Sequence, residues 1–169
     1  MIFSIPGYVS NQKIDSLVEY VDIYPTLCEL AKIKTPDYLE GTSIVPLLKN
    51  PNRKWKTGVF SQYPRGWPKA KFEGYSIRTD RYHYIQWREL DGSFKSHELY
   101  DQENDYNQSV NLANLPEKRK VVELLKNKLD AGWKASLPKG IKNYSDNPLA
   151  PEFMPWGKEA TFGPHARKN

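Results

Sequence analysis

Between residues 58 and 101 one pattern recurs four times: a short run rich in aromatic and β-branched residues, closed off by turn residues. The runs are GVFSQY (58–63), GYSIRT (74–79), YHYIQW (82–87) and HELYD (97–101). Residues 64–68, Asp80-Arg81 and Asp91-Gly92 mark the breaks between them. A crossover that returns a chain parallel to itself takes a dozen residues or more, so these connections predict an antiparallel meander of about four strands. In YHYIQW, Tyr82, Tyr84 and Gln86 alternate with His83, Ile85 and Trp87, as two faces of one strand do. Leu115-Pro116 then opens a helix predicted over 117–132. Val122, Leu125, Leu129 and Trp133 form its apolar stripe, and Lys118, Arg119, Lys126 and Lys128 its polar side. A helix with one such stripe belongs across one face of the sheet, which makes the fold class α+β.

The chain before the meander reads differently. Met1 to Ile5 is a short apolar run stopped by Pro6-Gly7, predicted as a buried strand, and LVEYV (17–21) is a second strand candidate. Asp22 is the expected N-cap of a helix running to about Ala31, with Pro25 in the first turn and Ile23, Leu27, Leu30 and Ala31 on the buried face. Pro51 is a natural boundary. Residues 1–50 therefore read as strands and helix of one body, 51–136 as the sheet and its helix, and 137–169 as an irregular, proline-rich tail.

Composition narrows the function. No run approaches the roughly 18 apolar residues of a membrane-spanning helix, and mean hydropathy is −0.74. The first residues lack the basic and apolar regions of a signal peptide, so any export address lies outside this sequence. Cys28 is the single cysteine, which forbids an intrachain disulfide and a cysteine zinc cluster. A net charge of +5 suits an anionic partner, and five Trp with eleven Tyr supply rings with polar tips for clefts and surfaces.

No complete catalytic constellation is present. The sequence holds no glycine-rich phosphate loop, no HExxH and no G-x-S-x-G, and His83, His97 and His165 lack ligand spacing. Cys28 sits between Leu27 and Glu29 inside the predicted helix, the place of a small buried hydrophobe. Asp101, Glu103 and Asp105 imitate the start of a calcium loop, but Tyr106 replaces its turn glycine and Leu112 its bidentate glutamate, so a solvated turn is expected. Asn107 and Asn143 match the glycosylation acceptor pattern, which matters only in a eukaryotic secretory pathway. The chemistry-bearing segment is QYPRGWPKAK (62–71). It interleaves Arg65, Lys69 and Lys71 with Tyr63 and Trp67, a combination suited to a sulfated, phosphorylated or carboxylated sugar, and equally to an exposed hairpin connection. Gln62, Tyr63, Arg65 and Trp67 are thus candidates for a substrate rim. Arg78, inside a strand, reads instead as an ion-pair partner, with Asp80 and Asp101 in reach.

The order of the segments MIFSIPG, LVEYVDIYPTLCELA, YLEGTSIVPLL, FSQYPR, GYSIRTDRYHYIQW, ELYDQENDYNQSVNLA and KLDAGW resembles the C-terminal third of the sulfatase family, most closely its iduronate-2-sulfatase-like branch. Lys32, Glu73 and Gln108 depart from residues common there. The resemblance implies an alkaline-phosphatase-like fold, with residues 1–50 as the last elements of a large α/β domain and 51–136 as the small C-terminal subdomain. It implies a long catalytic portion ahead of Met1, and hence an internal methionine or the start of a truncated or split gene. It also implies hydrolysis of sulfate esters on sulfated saccharides, export from the cytosol, and two groups held elsewhere: a calcium ion and a formylglycine made from Cys-x-Pro/Ala-Ser-Arg. Cys28 is followed by Glu-Leu-Ala-Lys, so no catalytic or metal residue is carried over and this chain alone is expected to be inactive. The expected partners are the rest of the catalytic domain and the saccharide, with neither nucleic acid nor a membrane span, and self-association through the exposed N-terminal edge when that domain is missing. Two other readings fit the charge and the superfamily: a free-standing basic module for glycosaminoglycan or nucleic acid, and the same part of a phosphate or phosphonate ester hydrolase.

Overall fold

The structure is a computed structural model that describes residues 1–8, 11–66, 71–141 and 143. These fall into two compact units, one of Met1–Val59 with residues 133–141 and 143, the other of Phe60–Gly132.

The second unit contains the meander. Strands β1 (Val59–Arg65), β2 (Phe72–Arg78), β3 (Tyr82–Glu89) and β4 (Phe94–Asp101) form one sheet in the order β1-β2-β3-β4. Each is displaced from its predicted run by a few residues at most. Ile77 pairs with Tyr84, and Tyr84 with Leu99, so three fully buried side chains stand in a row across three strands. Helix α3 (Arg119–Ala131) sets Leu125 on that row, and Phe60, Tyr82, Leu112, Val121, Val122 and Leu129 close round it. The helix begins after a 3-10 turn over Pro116–Lys118 and stops at Gly132, whose φ of +77° an L side chain rarely adopts. Trp133 therefore does not extend the apolar stripe as predicted; it starts a separate 3-10 turn, Trp133–Ser136.

The first unit corrects several expectations. Residues 1–5 form no strand, and Ile2 is 97% exposed. LVEYV is no strand either, and its end winds into a 3-10 turn over Tyr20–Asp22. A strand needs a neighbour to take its backbone groups, and this unit offers none among the described residues. Helix α1 (Ile23–Leu30) does form, but Pro25, Thr26 and Cys28 are its buried residues and Leu27 is exposed. A second short helix, α2 (Val45–Lys49), follows α1. Ile44 and Leu47 pack with Trp55 in a core flanked by Phe3, Ile14, Val18, Leu48 and Ile141.

The boundary between the units lies at Val59, not at Pro51, because residues 55–57 are tied into the first unit. Trp55 is in its core, Lys56 is buried, and the Thr57 N–H donates to the Ser136 carbonyl at 3.3 Å. Asp22 is the reason Lys56 is buried. Its side chain does not cap α1; its oxygens accept from Lys56 Nζ at 2.8 and 2.7 Å, from the Thr42 N–H at 2.8 Å and from the Glu19 N–H at 2.9 Å. Glu19 also accepts from Lys56, at 2.6 Å, while Thr26 Oγ1 donates to the Asp22 carbonyl at 2.5 Å and accepts from the Ile44 N–H at 3.0 Å. Gly41 passes so close that a Cβ there would lie 1.9 Å from the Val21 carbonyl oxygen.

Candidate functional site

Alternation along β1 divides the predicted rim residues between the two faces of the sheet. Gln62 faces the helix side. Its Nε2 donates to Glu73 Oε2 and to the Tyr75 hydroxyl, each at 3.3 Å, and Tyr75 donates to Glu73. Burial, then the bond to Glu73, pushes the Tyr75 phenol up to about 12. Arg88 lies over the Tyr75 ring at 4.9 Å and reaches Asp130 on α3 at 3.1 Å. Gln62 is thus engaged inside the subdomain, while Glu73 Oε1 is buried with no hydrogen-bond partner.

Tyr63 and Arg65 face the other way. Tyr63 is 67% exposed, and the Arg65 guanidinium carbon stands 5.1 Å from the centre of the Trp87 ring. The Trp87 ring lies against Gly74 on β2, where an added Cβ would meet Cζ3 at 2.7 Å. Trp87 Nε1 donates to Glu98 Oε1 at 2.8 Å, and the Tyr100 hydroxyl donates to Glu98 Oε2 at 2.8 Å. Burial first, and then Glu98, raises the Tyr100 phenol to about 12. Sequence reasoning missed Trp87, Glu98 and Tyr100 as companions of Arg65. The alternation in YHYIQW separates Trp87 from the core-facing Tyr84 and hints at a role, but only sheet pairing brings it beside β1. Trp67 and Lys69 lie outside the described residues; Lys71 is exposed and its N–H donates to the Arg65 carbonyl at 2.8 Å.

The predicted ion pair changes partner. Asp101 is held by Arg81, through Nε at 3.0 Å and a terminal nitrogen at 2.7 Å, whereas Arg78 and Asp80 are exposed. A side chain at the turn can fold back along the sheet edge to β4; Arg78, at the end of its strand, projects into solvent. Arg81, then Asn104 and the Glu103 N–H, hold the Asp101 carboxyl well below the usual range. This turn uses its carboxylates on the protein itself: Asp105 accepts from the Val110 N–H at 2.9 Å. The described histidines are also engaged. His83 Nδ1 meets Gln108 Oε1 at 2.8 Å, and His97 Nδ1 meets the Tyr84 hydroxyl at 3.3 Å.

Residues 1–135 match the family described as N-sulphoglucosamine sulphohydrolase, C-terminal. The chain belongs to the sulfatase family. Arylsulfatase K of Mus musculus is 32% identical over 115 residues, 64% of this sulfatase chain and 20% of the relative. The delta 4,5-hexuronate-2-O-sulfatase of Bacteroides thetaiotaomicron is 32% identical over 125 residues, covering 72% of this chain and 25% of the relative. Among solved structures, a 2-O GAG sulfatase superposes with a TM-score of 0.56 at 31% identity, over 68% of this chain and 24% of that one. The phosphonate monoester hydrolase of Agrobacterium radiobacter does so with a TM-score of 0.54 at 25% identity, over 68% and 24%. The chain thus spans a quarter or less of the length of these relatives, and its four-stranded antiparallel sheet with a packed helix is that of a sulfatase C-terminal domain.

Among the described residues, none forms a site fitted to formylglycine or calcium. Cys28 is buried in α1 and followed by Glu29 and Leu30, and among the described residues no three His, Cys, Asp or Glu side chains converge as ligands.

Proposed function

We propose that this chain is the C-terminal part of a sulfatase of the iduronate-2-sulfatase-like branch, one that removes a sulfate ester from a sulfated saccharide. The observation that carries the reading is the 32% identity to a hexuronate-2-O-sulfatase over 72% of this chain. The remaining catalytic portion supplies formylglycine and calcium, and this chain contributes structure and a basic, aromatic rim. Tyr63 and Arg65, both exposed on one sheet face, support that rim, with Trp67 continuing it in sequence, while Gln62 braces the strand from behind through Glu73 and Tyr75.

The test joins the chain to its catalytic portion and offers a disaccharide sulfated at O2 of its hexuronate. Hydrolysis of that ester is expected, with the chain alone giving no turnover of an aryl sulfate in the presence of calcium. Robust turnover by the isolated chain, or a joined enzyme blind to the disaccharide, contradicts the reading. The likeness to a phosphonate monoester hydrolase favours one rival, a different ester, so a phenyl phosphonate ester belongs in the same assay. Faster hydrolysis of the phosphonate would transfer the assignment.

A further inference from the structure

The face of the sheet turned away from α3 carries a chain of contacts that runs from β1 to β4. Trp87 is fixed on two sides, by Gly74 beneath its ring and by Glu98 at its indole N–H, and Tyr100 holds the other oxygen of Glu98. Arg65 lies over this immobilised ring and is exposed. Arg81 and Arg88 each have a carboxylate partner; Arg65 has none among the described residues. A guanidinium stacked on an indole gives up few conformations on binding, and its N–H edges remain open to a planar or tetrahedral oxyanion. Tyr63, two residues earlier on the same face, adds a ring against which the C–H face of a sugar packs.

The geometry points to an oxyanion subsite at this stack: Arg65 receives a sulfate or carboxylate group of a saccharide unit, and Gly74, Trp87 and Glu98 position it. The choice of a saccharide rests on the sulfatase reading; the stack itself does not. Glu98 turns its charge to Trp87 and Tyr100, which spend its oxygens on donors within the sheet.

The experiment titrates the chain with a heparin-derived tetrasaccharide at physiological ionic strength, by calorimetry and by following indole N–H resonances. The Trp87 resonance is identified by its loss in Trp87→Phe. It is expected to shift on binding, and Arg65→Ala is expected to weaken binding on the order of tenfold, the loss of one charge-assisted contact. Arg65→Lys should not restore it, because an ammonium lacks the planar fork. Lys120→Ala, an exposed change on α3, should leave affinity within about twofold, since rim charges act weakly. Tetrasaccharides stripped of both O- and N-sulfo groups, or reduced at their carboxyl groups, then separate the two anions, since only the one that Arg65 receives is needed for the Arg65-dependent part. No binding by the chain, an unmoved Trp87 resonance, or equal losses from Arg65→Ala and Lys120→Ala would overturn the subsite. The sulfatase reading fails separately, by absence of turnover in the joined enzyme.

Discussion

A lysine ammonium as buried as that of Lys56 is tolerable only because Asp22 and Glu19 meet it at 2.6 to 2.8 Å. Removing one partner of a buried pair strands the other, which costs about 3–5 kcal/mol. Lys56→Ala should therefore lower the stability of the first unit by that order, read as a shift of the denaturant midpoint. A loss below about 1 kcal/mol would mean that water reaches Asp22. Asp101 shows the opposite exposure, a buried carboxylate on a half-exposed Arg81. Its pKa is depressed in the folded chain, so its contribution is full above the ordinary value of about 3.9 and is lost as pH falls through the depressed one. Asp101→Asn is expected to cost about 2 kcal/mol at neutral pH and to flatten the acid side of the stability profile. An unchanged acid limb would remove Asp101 from that account. Asp22 is legible in the sequence as the start of a helix, but not as an anchor, because Thr42 and Lys56 lie 20 and 34 residues away.

At the scale of elements, β1 to β4 and α3 are legible because each announces itself locally, by alternation, turn residues or a stripe at helical spacing. Leu125 is the residue through which α3 meets the row Ile77, Tyr84 and Leu99. Leu125→Ala should cost about 2–5 kcal/mol, whereas Leu124→Ala, at an exposed position of the same helix, should cost under about 1 kcal/mol. Equal losses would contradict the packing described. Gly74→Ala tests the other face: its methyl must displace Trp87, so the indole N–H resonance should move and the hydrogen bond to Glu98 weaken. The predicted strands at 1–5 and 17–21 fail because an apolar run states only that a segment is buried or extended, and pairing decides which.

At the scale of the molecule, the first unit leaves Tyr20, Val21, Tyr24 and Leu27 exposed along one turn and helix, and Met1 and Ile2 are exposed as well. The relatives are four to five times as long as the matched region, and an exposed apolar surface of this kind suits a partner that covers it. Alone, the chain is expected to self-associate at micromolar concentration, and Tyr24→Lys with Leu27→Lys should return it to a monomer by sedimentation. A wild-type chain that stays monomeric would show that this surface needs no partner. The antiparallel meander, the packed helix and the family can be read from residue order alone, because they rest on local periodicity and on motif order. That Lys56 belongs with Asp22, that Arg81 takes Asp101, and that Gln62 and Arg65 face opposite sides with Trp87 under the arginine emerges only in the folded chain. Those pairings join residues far apart in the chain, and pairing energy depends on distance in space.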